Sequence, residues 1–506
     1  MSVRNSLAGA ILIGFLSVLS GAKAQEKDSH IQTMTIAGGY FPEQWGNPFT
    51  STSITRQPLW SALFDPLTVV TTGGELLPWL ATEWIQVESH VWRVSLRPRV
   101  TFSNGEPLEA NAIVAAVNYL TSEVGSVTPG GRELQVIQRA DAIDSLTVEI
   151  RTHLPEPLLP YKLSLLKPLA PLQWQELGVE EYFVSPPGTG PYVIDDVRLN
   201  QAKLVAHQKS WRTAPTEELN FLVLVEPAAR QAALATGQAD IALTAVSPDE
   251  FDQLRRAGGG VFVDRIPAVV ALAFNNVEAS PFRDQRVREA MTYAVDRQSI
   301  VDVLLGGQTV VANQPAPRSA FGYNPDIKSR MYDPERARRL LKDAGYPDGF
   351  EASTEMPSGA ILYTDVFQKV ASDLARVGVQ LTVRTVPQIT FLDRIQTGDW
   401  QGQTMAIPFF TPVADALYSM RQNSCLWHAP YYCDADATRL IEDALSETSL
   451  DARQKKTQSV MAYAHHSAQA LFLYETVSFI GLGPRIATFR SDFGFIRYED
   501  IQIREQ

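Results

Sequence analysis

Residues 274–307 read FNNVEASPFRDQRVREAMTYAVDRQSIVDVLLGG, and this stretch decides the fold. Apolar residues recur there at helical spacing: Val287, Ala290, Met291, Ala294 and Val295. This spacing predicts a helix with one apolar face, which packs against a core. Asp284 is placed to cap this helix, Asp296 is placed to cap a second one, and two glycines end the stretch. Because the apolar run 269–274 comes immediately before, we expect a strand followed by two helices that begin a new packed unit.

The N-terminus has the layout of an export signal. Arg4 precedes the apolar run 7–19, and the sequence AKA follows at 22–24. This order is that of a secretory signal peptide, so we expect removal of residues 1–24 and a mature chain that starts at Gln25. The run is too short to span a bilayer, and no cysteine lies near the cleavage point to carry a lipid. The predicted location is the periplasm of a Gram-negative bacterium, without a membrane anchor.

The composition suits a large exported protein with sizeable cores. The chain has 506 residues, of which 45% are hydrophobic, so either several domains or one large bilobal body is expected. Loss of residues 1–24 removes two cations and no acid, which moves the formal net charge from -12 to -14. Nucleic acids and anionic membrane surfaces bind clustered cations, so this balance argues against both as partners.

The two cysteines, Cys425 and Cys433, lie close together in the sequence. In an oxidising compartment such a pair favours a disulfide. The alternative is metal ligation with His428 between them, but no further residue shows the spacing of a metal site. We therefore predict the disulfide and no metal centre.

Periodicity elsewhere predicts that helices and strands alternate. A strand, a helix and a second strand are expected over residues 221–243. Asp333 is placed to cap a helix that runs to Ala344. Residues 437–470 have the pattern of one long helix, and the alternation of LFLYETVSFIGLG at 471–483 is typical of a strand.

Three further blocks of sequence accompany residues 274–307. They are PWLA at 78–81 with LRP shortly after it, PGTGPY at 187–192, and YDPERARRLLKDAGYPDGFE at 332–351. Together and in this order, the four blocks closely resemble the peptide and nickel type of solute-binding proteins of bacterial ABC importers, the extracytoplasmic family 5. The resemblance covers essentially all of the mature chain.

The resemblance implies a bilobal periplasmic-binding-protein-like α/β fold, in which hinge strands join two α/β lobes and the ligand lies in the cleft between them. The implied division is a first lobe at 25–272 with an extra, inserted subdomain at about 65–185, a second lobe at 273–480, and a C-terminal return to the first lobe at 481–506. The hinge strands are expected near residues 269–276 and 479–484.

The resemblance also implies a function without chemistry. The protein is expected to capture a small solute by hinge closure and to deliver it to an inner-membrane ABC permease. We expect a monomer that needs no cofactor and binds no nucleic acid. The implied cargo is a peptide-like compound, an opine or a sugar conjugate, with an oligopeptide, a dipeptide or a nickel chelate as the alternative within the same family.

The candidate ligand contacts combine aromatic rings with hydrogen-bonding groups, which suits such cargo. They are Tyr40, Phe41, Trp45, Asn47, Arg318, Trp400, Phe409, Phe410, Thr411, Asp415 and Trp427. The first four belong to the loop GGYFPEQWGNPFTS at 38–51, which the resemblance places at the cleft; the alternative is that its aromatic residues fill the core.

If Trp45 lines the cleft, Trp45→Ala should weaken cargo binding more than about tenfold and leave the melting temperature nearly unchanged. If Trp45 fills the core instead, the cargo affinity and the melting temperature should both fall, to an equal extent. Arg318, like Arg56 and Arg421, is a candidate for a carboxylate or phosphate.

One position argues against ordinary peptides with a free amino group. In peptide binders of the family, an aspartate in the second lobe pairs with the ammonium group of the peptide. The alignment places Pro408 at that position. A buried ammonium without a counterion is costly, so such peptides are disfavoured unless Asp415 or Glu43 takes over the role.

An enzyme is the main competing class. Ser164 and Lys167 match S-x-x-K, yet neither of the motifs that accompany it in penicillin-binding enzymes is present, and no G-x-S-x-G or H-E-x-x-H motif occurs. We therefore expect no catalytic activity; turnover lost on Ser164→Ala would contradict this. A third class, a periplasmic chaperone or a receptor component with the same fold, predicts binding of unfolded chains or of a sensor partner.

Overall fold

The computed structural model describes residues 32–39, 45–52, 55–244, 247–358 and 363–504. The predicted signal peptide and the candidate ligand contacts Tyr40 and Phe41 lie outside the described residues, as does Glu43. Within the described ranges, no helix is both long enough and apolar enough to cross a lipid bilayer.

Strands and helices alternate along most of the chain. The strands are β1 (Thr33–Gly38), β2 (Thr68–Val70), β3 (Leu76–Pro78), β4 (Ala81–Glu88), β5 (Val91–Leu96), β6 (Ile137–Ala142), β7 (Thr147–Thr152), β8 (Tyr192–Arg198), β9 (Gln201–Ala206), β10 (Glu218–Val223), β11 (Ile241–Ala242), β12 (Gly260–Phe274), β13 (Phe350–Pro357), β14 (Val379–Val386), β15 (Thr404–Phe410), β16 (Ala470–Leu482), β17 (Ile486–Thr488), β18 (Ser491–Asp492), β19 (Phe495–Ile496) and β20 (Gln502–Ile503). The helices are α1 (Gln57–Leu63), α2 (Ala110–Leu120), α3 (Glu123–Ser126), α4 (Pro129–Leu134), α5 (Leu159–Lys162), α6 (Pro171–Tyr182), α7 (Pro227–Ala235), α8 (Phe251–Arg256), α9 (Gln285–Ala294), α10 (Arg297–Ser299), α11 (Pro334–Asp343), α12 (Tyr363–Ala375), α13 (Gln388–Thr397), α14 (Ala416–Gln422), α15 (Ala435–Leu445) and α16 (Leu450–His466). Short 3-10 turns lie at Leu163–Leu165, Pro248–Glu250, Pro281–Arg283 and Tyr498–Asp500, and a π-helical turn lies at Ile300–Leu304.

One mixed sheet organises the molecule. In the described part of the chain it has ten strands, in the order β14-β13-β15-β12-β16-β11-β1-β10-β9-β8. β1 is parallel to β10 and β11, and β13 is parallel to β14 and β15, whereas the other neighbours are antiparallel. We call the body around β1 and β8 to β11, with the antiparallel sheet β4-β5-β7-β6, the first lobe. The body around β13 to β15 with helices α9 to α16 is the second lobe.

The long strands β12 and β16 run through both lobes and are called the crossing strands. Their first-lobe halves pair residues 260–265 with 477–482, beside β11. Their second-lobe halves pair residues 269–273 with 470–475, beside β15. The crossing strands are therefore the shared spine of the two lobes.

The register of the crossing strands shifts between Arg265 and Val269. Pro267 lies in this gap, and proline has no N–H to donate to a strand ladder, so the pairing is interrupted there. The expected hinge positions, near 269–276 and 479–484, overlap these two strands, but the irregularity itself lies a few residues earlier on β12. A local change in strand direction is least costly at such a break.

The second lobe is apolar on both faces of its sheet. Alternate residues of β12 enter two different cores: Val270, Leu272 and Phe274 face α9, α11 and α12, while Val269, Ala271 and Ala273 face Phe391 of α13. A strand buried on both faces reads as a continuous apolar run, which is why 269–274 shows no alternation.

Two large cores lie in the described part of the first lobe. One joins β1 and β10 to Trp60 of α1 and to the C-terminal residues Ile496 and Tyr498. The other lies between the antiparallel sheet, α2 and the segment around Leu163, and forms a separate subdomain within this lobe. The C-terminal segment therefore packs on the first lobe after β16 has left the second.

The predicted arrangement at 274–307 is confirmed. Asp284 accepts a hydrogen bond from the Arg286 N–H at the start of α9, and Asp296 accepts one from the Ser299 N–H at the start of α10. The ring of Phe282 stacks on that of Phe274, with 4.8 Å between ring centroids. The strand and the two helices are thus fixed to each other before the second lobe continues.

The long helix predicted over 437–470 is wrong: the structure has two helices, α15 and α16, separated by a turn. In the turn, the Glu447 carboxylate accepts hydrogen bonds from the N–H groups of Thr448 and Ser449, and the Ser449 side chain caps α16. The turn reverses the chain, so that both helices bury apolar residues in one core instead of extending into solvent. Both halves have helical periodicity, and a capping turn between them leaves that periodicity unbroken.

The glycines of PGTGPY serve a close approach rather than a left-handed turn. A side chain on Gly188 or Gly190 would lie 1.9 Å or 2.4 Å from the carbonyl oxygens of Leu63 and Ala62. These carbonyls belong to the C-terminal turn of α1, so the loop can pack there only without a Cβ atom. The loop leads directly into the antiparallel hairpin of β8 and β9.

Candidate functional site

A cleft lies between the two lobes, beside the register break of β12. It contains about 540 Å³ of empty space, open solvent included. Its first-lobe wall consists of Thr52, Gln57, Pro66, Thr68, Val69, Val70, Ser164, Leu165, Lys167, Asp492, Phe493 and Phe495. Pro267 of the crossing strand and the second-lobe residues Phe410 and Pro412 complete it. A solute bound here would touch both lobes and the break between them.

The lobes also touch each other directly next to the cleft. The Tyr418 hydroxyl of α14 donates a hydrogen bond of 2.5 Å to the Glu133 carboxylate of α4. Val413, in the loop after β15, is buried in the core of the first-lobe subdomain. Burial raises the pKa of Glu133, and the hydrogen bond from Tyr418 opposes this rise. The two lobes are therefore in contact in this structure.

Strand alternation decides which aromatic residue of β15 faces the cleft. Phe410 lines it, whereas Phe409 points to the opposite face and packs edge-on against Phe472 in the core. Successive side chains of a strand point to opposite faces, so the two neighbours cannot share a role. Only Phe410 is available to a ligand.

A strained turn supplies a second aromatic wall. Phe493 and Gly494 connect β18 to β19 with φ angles of 50° and 81°. Two left-handed residues in a row form the tightest hairpin, but this conformation is costly for a bulky residue such as phenylalanine. The turn places the Phe493 side chain in the cleft. Strained backbone of this kind is typical of functional sites.

The cleft contains two charged side chains from the described residues, Lys167 and Asp492. The Asp492 carboxylate is already compensated, because it lies 3.0 Å from Arg497 Nη2 and accepts a hydrogen bond from Arg497 Nε. The Lys167 ammonium is 3.3 Å from the Leu165 carbonyl oxygen. Burial lowers the pKa of Lys167 to about 8. The Lys167 ammonium therefore forms no ion pair with a described acidic side chain.

A buried acid lies behind Asp492. Asp264 of β12 accepts a hydrogen bond from the Ser491 hydroxyl at 3.3 Å. Burial raises the pKa of Asp264 to about 7, and the negative charge of Asp492 adds to the rise. The first-lobe half of the crossing strand and the C-terminal segment are thereby joined by a polar network under the cleft wall.

Four expected ligand contacts are buried within the protein. Phe409 and Thr411 are 1% and 0% exposed, and Thr411 donates from its hydroxyl and its N–H to the Pro267 carbonyl. Asn47 donates to the Tyr119 hydroxyl and caps the turn at Phe49. Asp415 caps α14 and pairs with Arg453. Thr411, Asn47 and Asp415 have their polar partners inside the protein, and the Phe409 ring is enclosed in the second-lobe core, so none of the four presents a free group to a ligand.

Trp45 and Arg318 are not among the described residues that line this cleft. Trp45 packs on the first-lobe core and borders a separate depression formed by first-lobe residues alone. Its carbonyl accepts a hydrogen bond from the indole of Trp60. Arg318 pairs with Glu475 of β16 at 3.1 Å. The placement of Trp45 favours the core alternative.

This placement changes the outcome expected for Trp45→Ala. Since the indole covers core residues and borders no interlobe surface, its removal should lower the melting temperature and leave the cargo affinity nearly unchanged. Thermal unfolding and calorimetric titration of the same sample check this. A loss of affinity at unchanged melting temperature would restore Trp45 to the ligand site.

Trp400 and Trp427 meet in a small pocket of the second lobe with Tyr431, and not in the cleft. The predicted disulfide between Cys425 and Cys433 is confirmed, and it encloses Trp427 and His428 in its loop. His428 Nε2 lies 2.5 Å from the Gln396 carbonyl oxygen. In the described ranges, no cluster of three or more metal-ligating side chains exists.

Sequence reasoning missed Lys167 and Phe493 as components of the cleft. The sequence places Ser164 and Lys167 in an S-x-x-K match, which does not predict a position in the cleft wall. The Ser164 hydroxyl donates to the Tyr161 carbonyl and Lys167 donates to Leu165, so the two side chains share no hydrogen bond. An activated serine needs a base within hydrogen-bonding distance, and this pair lacks that geometry.

Sequence comparison identifies relatives along most of the chain. The family described as "Bacterial extracellular solute-binding proteins, family 5 Middle" matches residues 75–425. Heme-binding protein A of Haemophilus influenzae is 26% identical over 339 residues, which are 63% of this chain and 60% of that protein. The nickel-binding periplasmic protein of Escherichia coli is 28% identical over 350 residues, 67% of this chain and 64% of that protein. The chain thus matches less than two thirds of the length of these two relatives.

Solved structures match over almost the full length. NikA from Brucella suis in complex with Fe(III)-EDTA gives a TM-score of 0.79 at 20% identity, covering 93% of this chain and 100% of that one. The periplasmic binding protein AgaA from Agrobacterium, in complex with agropinic acid, gives 0.75 at 18% identity, covering 94% and 99%. At this identity the likeness shows the fold alone. The expected bilobal α/β fold is confirmed.

Proposed function

This chain belongs to the bacterial extracellular solute-binding proteins of family 5, and on this premise we propose that it is the solute-binding component of an ABC importer. It captures one small solute between its lobes and delivers the solute to an inner-membrane permease. The solute is released unchanged, so no catalytic step is involved. The protein acts as a monomer and requires no cofactor.

The observation that carries this proposal is the composition of the cleft wall. Pro267 at the register break, Phe410 of the second lobe and Phe493 of the first lobe border one space. A ligand in that space makes its full set of contacts only when the lobes are together, so binding shifts the population toward the closed state. The permease then recognises the closed form.

We place the mature protein in the periplasm, with residues 1–24 as its signal peptide. Residues 25–272 form the first lobe with the inserted subdomain at about 65–185, and residues 273–480 form the second lobe. Residues 481–506 return to the first lobe. The packing of Ile496 and Tyr498 in the first-lobe core supports this division.

The cargo class follows from what the cleft offers. Its walls combine aromatic and aliphatic residues with hydroxyl, amide and charged side chains, and its one acid among the described residues, Asp492, is occupied by Arg497. Asp415, the alternative partner for a peptide ammonium group, is occupied by Arg453. A peptide-like compound without a free amino group, an opine or a sugar conjugate fits these conditions better than an ordinary peptide.

Native mass spectrometry of the protein purified from its own periplasm tests this proposal. We expect a fraction of the protein to carry one bound molecule of low mass, which dissociates on collisional activation with its covalent structure intact. Phe410→Ala should lower the occupied fraction, whereas Trp45→Ala should not. Protein that is consistently free of any adduct and binds no member of a nutrient library would contradict the proposal.

A direct consequence of hinge closure concerns Tyr418. Tyr418→Phe removes the hydrogen bond that joins α14 to α4 and leaves the Glu133 carboxylate without this partner when the lobes are together. A hydrogen bond to a charged group contributes about 1.5–3 kcal/mol, so cargo affinity should fall about tenfold or more. The melting temperature of the solute-free protein should change little, because water replaces Tyr418 when the lobes separate. Calorimetric titration with the co-purified solute measures the affinity.

Tyr463→Phe is the matched control for Tyr418→Phe. Its hydroxyl also donates to a carboxylate, at 3.1 Å from Asp434, but both groups belong to the second lobe. This variant should lose stability without a change in affinity. If the two variants lose affinity equally, the Tyr418 hydrogen bond has no special role in closure.

A further inference from the structure

Lys167 is a buried cation at the edge of the cleft. It follows the 3-10 turn Leu163–Leu165 and is 4% exposed, yet it borders the interlobe space. Its ammonium can donate three hydrogen bonds, but the described residues provide one acceptor, the Leu165 carbonyl at 3.3 Å. No described carboxylate lies within 4.0 Å of it. A buried ammonium in this state has lost its hydration without a compensating ion pair.

The surrounding elements do not supply the missing charge. Among the described residues that line the cleft, the only charged side chains are those of Lys167 and of Asp492 in β18. Asp492 is held by Arg497 at 3.0 Å, with Arg490 at 3.8 Å. Burial is the cause of the lowered pKa of Lys167, with no contribution from a neighbouring acid. The cleft therefore carries an excess positive charge next to apolar walls.

We propose that Lys167 is the binding site for an anionic group of the cargo, and that the cargo is an apolar solute with a carboxylate and no free ammonium group. This inference rests on the proposed function and names its substrate class. The carboxylate completes the hydrogen bonding of the ammonium, while Phe410 and Phe493 contact the apolar part. A phosphate offers the same charge and acceptors, so the two sources of the anion must be separated by experiment.

The unpaired state makes Lys167 costly to the empty protein. Lys167→Met keeps most of the side-chain volume and removes the charge, so its melting temperature at pH 7 should be higher than that of the unaltered protein. The folded-state pKa of Lys167 is about 8, below the ordinary 10.5, so the penalty is complete below pH 8. Stability of the unaltered protein should then rise between pH 8 and 10.5, and the advantage of the variant should shrink over that range. Lys455→Met, which removes an exposed ammonium, should change neither the melting temperature at pH 7 nor its dependence on pH.

Calorimetric titration with matched probes tests the anion site. The probes are apolar N-acyl amino acids, each supplied as the free carboxylate, as the carboxamide, and as the phosphate monoester of the corresponding amino alcohol. We expect anionic probes to bind the mature protein at pH 7 about 100-fold more tightly than the carboxamides. Lys167→Met should abolish this preference, and Lys167→Arg and Lys455→Met should retain it. Stronger binding of the phosphate than of the carboxylate would support the site and assign it to a phosphate.

The pH profile adds an independent readout. Affinity for the anionic probes should fall about tenfold per pH unit above pH 8 as the ammonium of Lys167 loses its proton, whereas Lys167→Arg should show no such fall.

Equal affinity for acid and amide, an unchanged preference in Lys167→Met, or a lower melting temperature of Lys167→Met would each overturn the proposal. If carboxamides bind and close the lobes, the proposed function stands and the role of Lys167 falls. If no probe binds, the role of Lys167 falls, and the co-purification experiment decides the proposed function separately.

Discussion

Phe410→Ala should weaken cargo binding by more than about tenfold while it leaves the melting temperature nearly unchanged. The Phe410 ring borders the interlobe space on the second-lobe side, where it is half-buried. Its removal deletes contacts that exist only with a ligand and closed lobes. Calorimetric titration with the co-purified solute gives the affinity, and thermal unfolding of the same sample gives the stability.

The neighbouring residue provides the control. Phe409→Ala leaves a void beside Phe472 in the second-lobe core, so it should lower the free energy of unfolding by about 3–5 kcal/mol. Its effect on affinity should be small at temperatures where the variant is folded. Identical profiles for the two variants, in either property, would show that strand alternation does not separate cleft from core at this point.

Asp65→Ala should be among the most destabilising single substitutions in the first lobe. The Asp65 carboxylate is fully buried and accepts four hydrogen bonds, from Trp79, Trp211, Thr189 and Arg212. It thereby joins the end of α1 to three distant segments. Its loss leaves the buried Arg212 guanidinium with Glu499 alone as ionic partner, at a cost of about 3–5 kcal/mol. Urea unfolding, followed by tryptophan fluorescence, measures this cost.

Asp196→Ala tests whether the position or the residue type matters. Asp196 also pairs with an arginine, at 2.7 Å from Arg198, but both side chains are largely exposed. An exposed pair contributes about 0–1 kcal/mol, so this variant should unfold almost as the unaltered protein does. If Asp65→Ala lowers the free energy of unfolding no more than Asp196→Ala does, Asp65 is not the centre of a stabilising hydrogen-bond network in the first lobe.

The parts of the fold that were predictable are those set by neighbouring residues. The helix that begins after Asp284 follows from a cap and an apolar stripe within ten residues, and both are local. Asp333 at the start of α11 is a second case. The disulfide between Cys425 and Cys433 was predictable because the loop is short and because the N-terminal sequence predicts export to an oxidising compartment. In each case the decisive residues are close in the sequence.

The cleft was less predictable because its walls come from distant segments. Phe410 was among the candidate contacts, whereas Lys167 and the adjacent pair Asp492 and Phe493 enter the same space from segments far apart in the sequence. Whether Phe409 or Phe410 faces the cleft depends on the side from which the first lobe approaches β15. The strand pattern alone does not contain that information.

The loop at 38–51 shows a second limit. Its aromatic residues were assigned to the cleft by resemblance, yet Trp45 packs on the core and Asn47 bonds to Tyr119. Glycine and proline indicate that the segment is a loop, but they do not indicate which surface covers it. The same limit applies to Asp415, whose role as a helix cap is common for an aspartate before a helix.

Small-angle X-ray scattering of the mature protein, with and without its co-purified solute, tests hinge closure most directly. Hinge closure predicts a larger radius of gyration for the solute-free protein and a smaller one at saturation. It also predicts that Tyr418→Phe needs more solute to reach the smaller value. A scattering profile that stays the same from empty to saturated protein, with binding verified in the same sample, would contradict closure of the two lobes around the ligand.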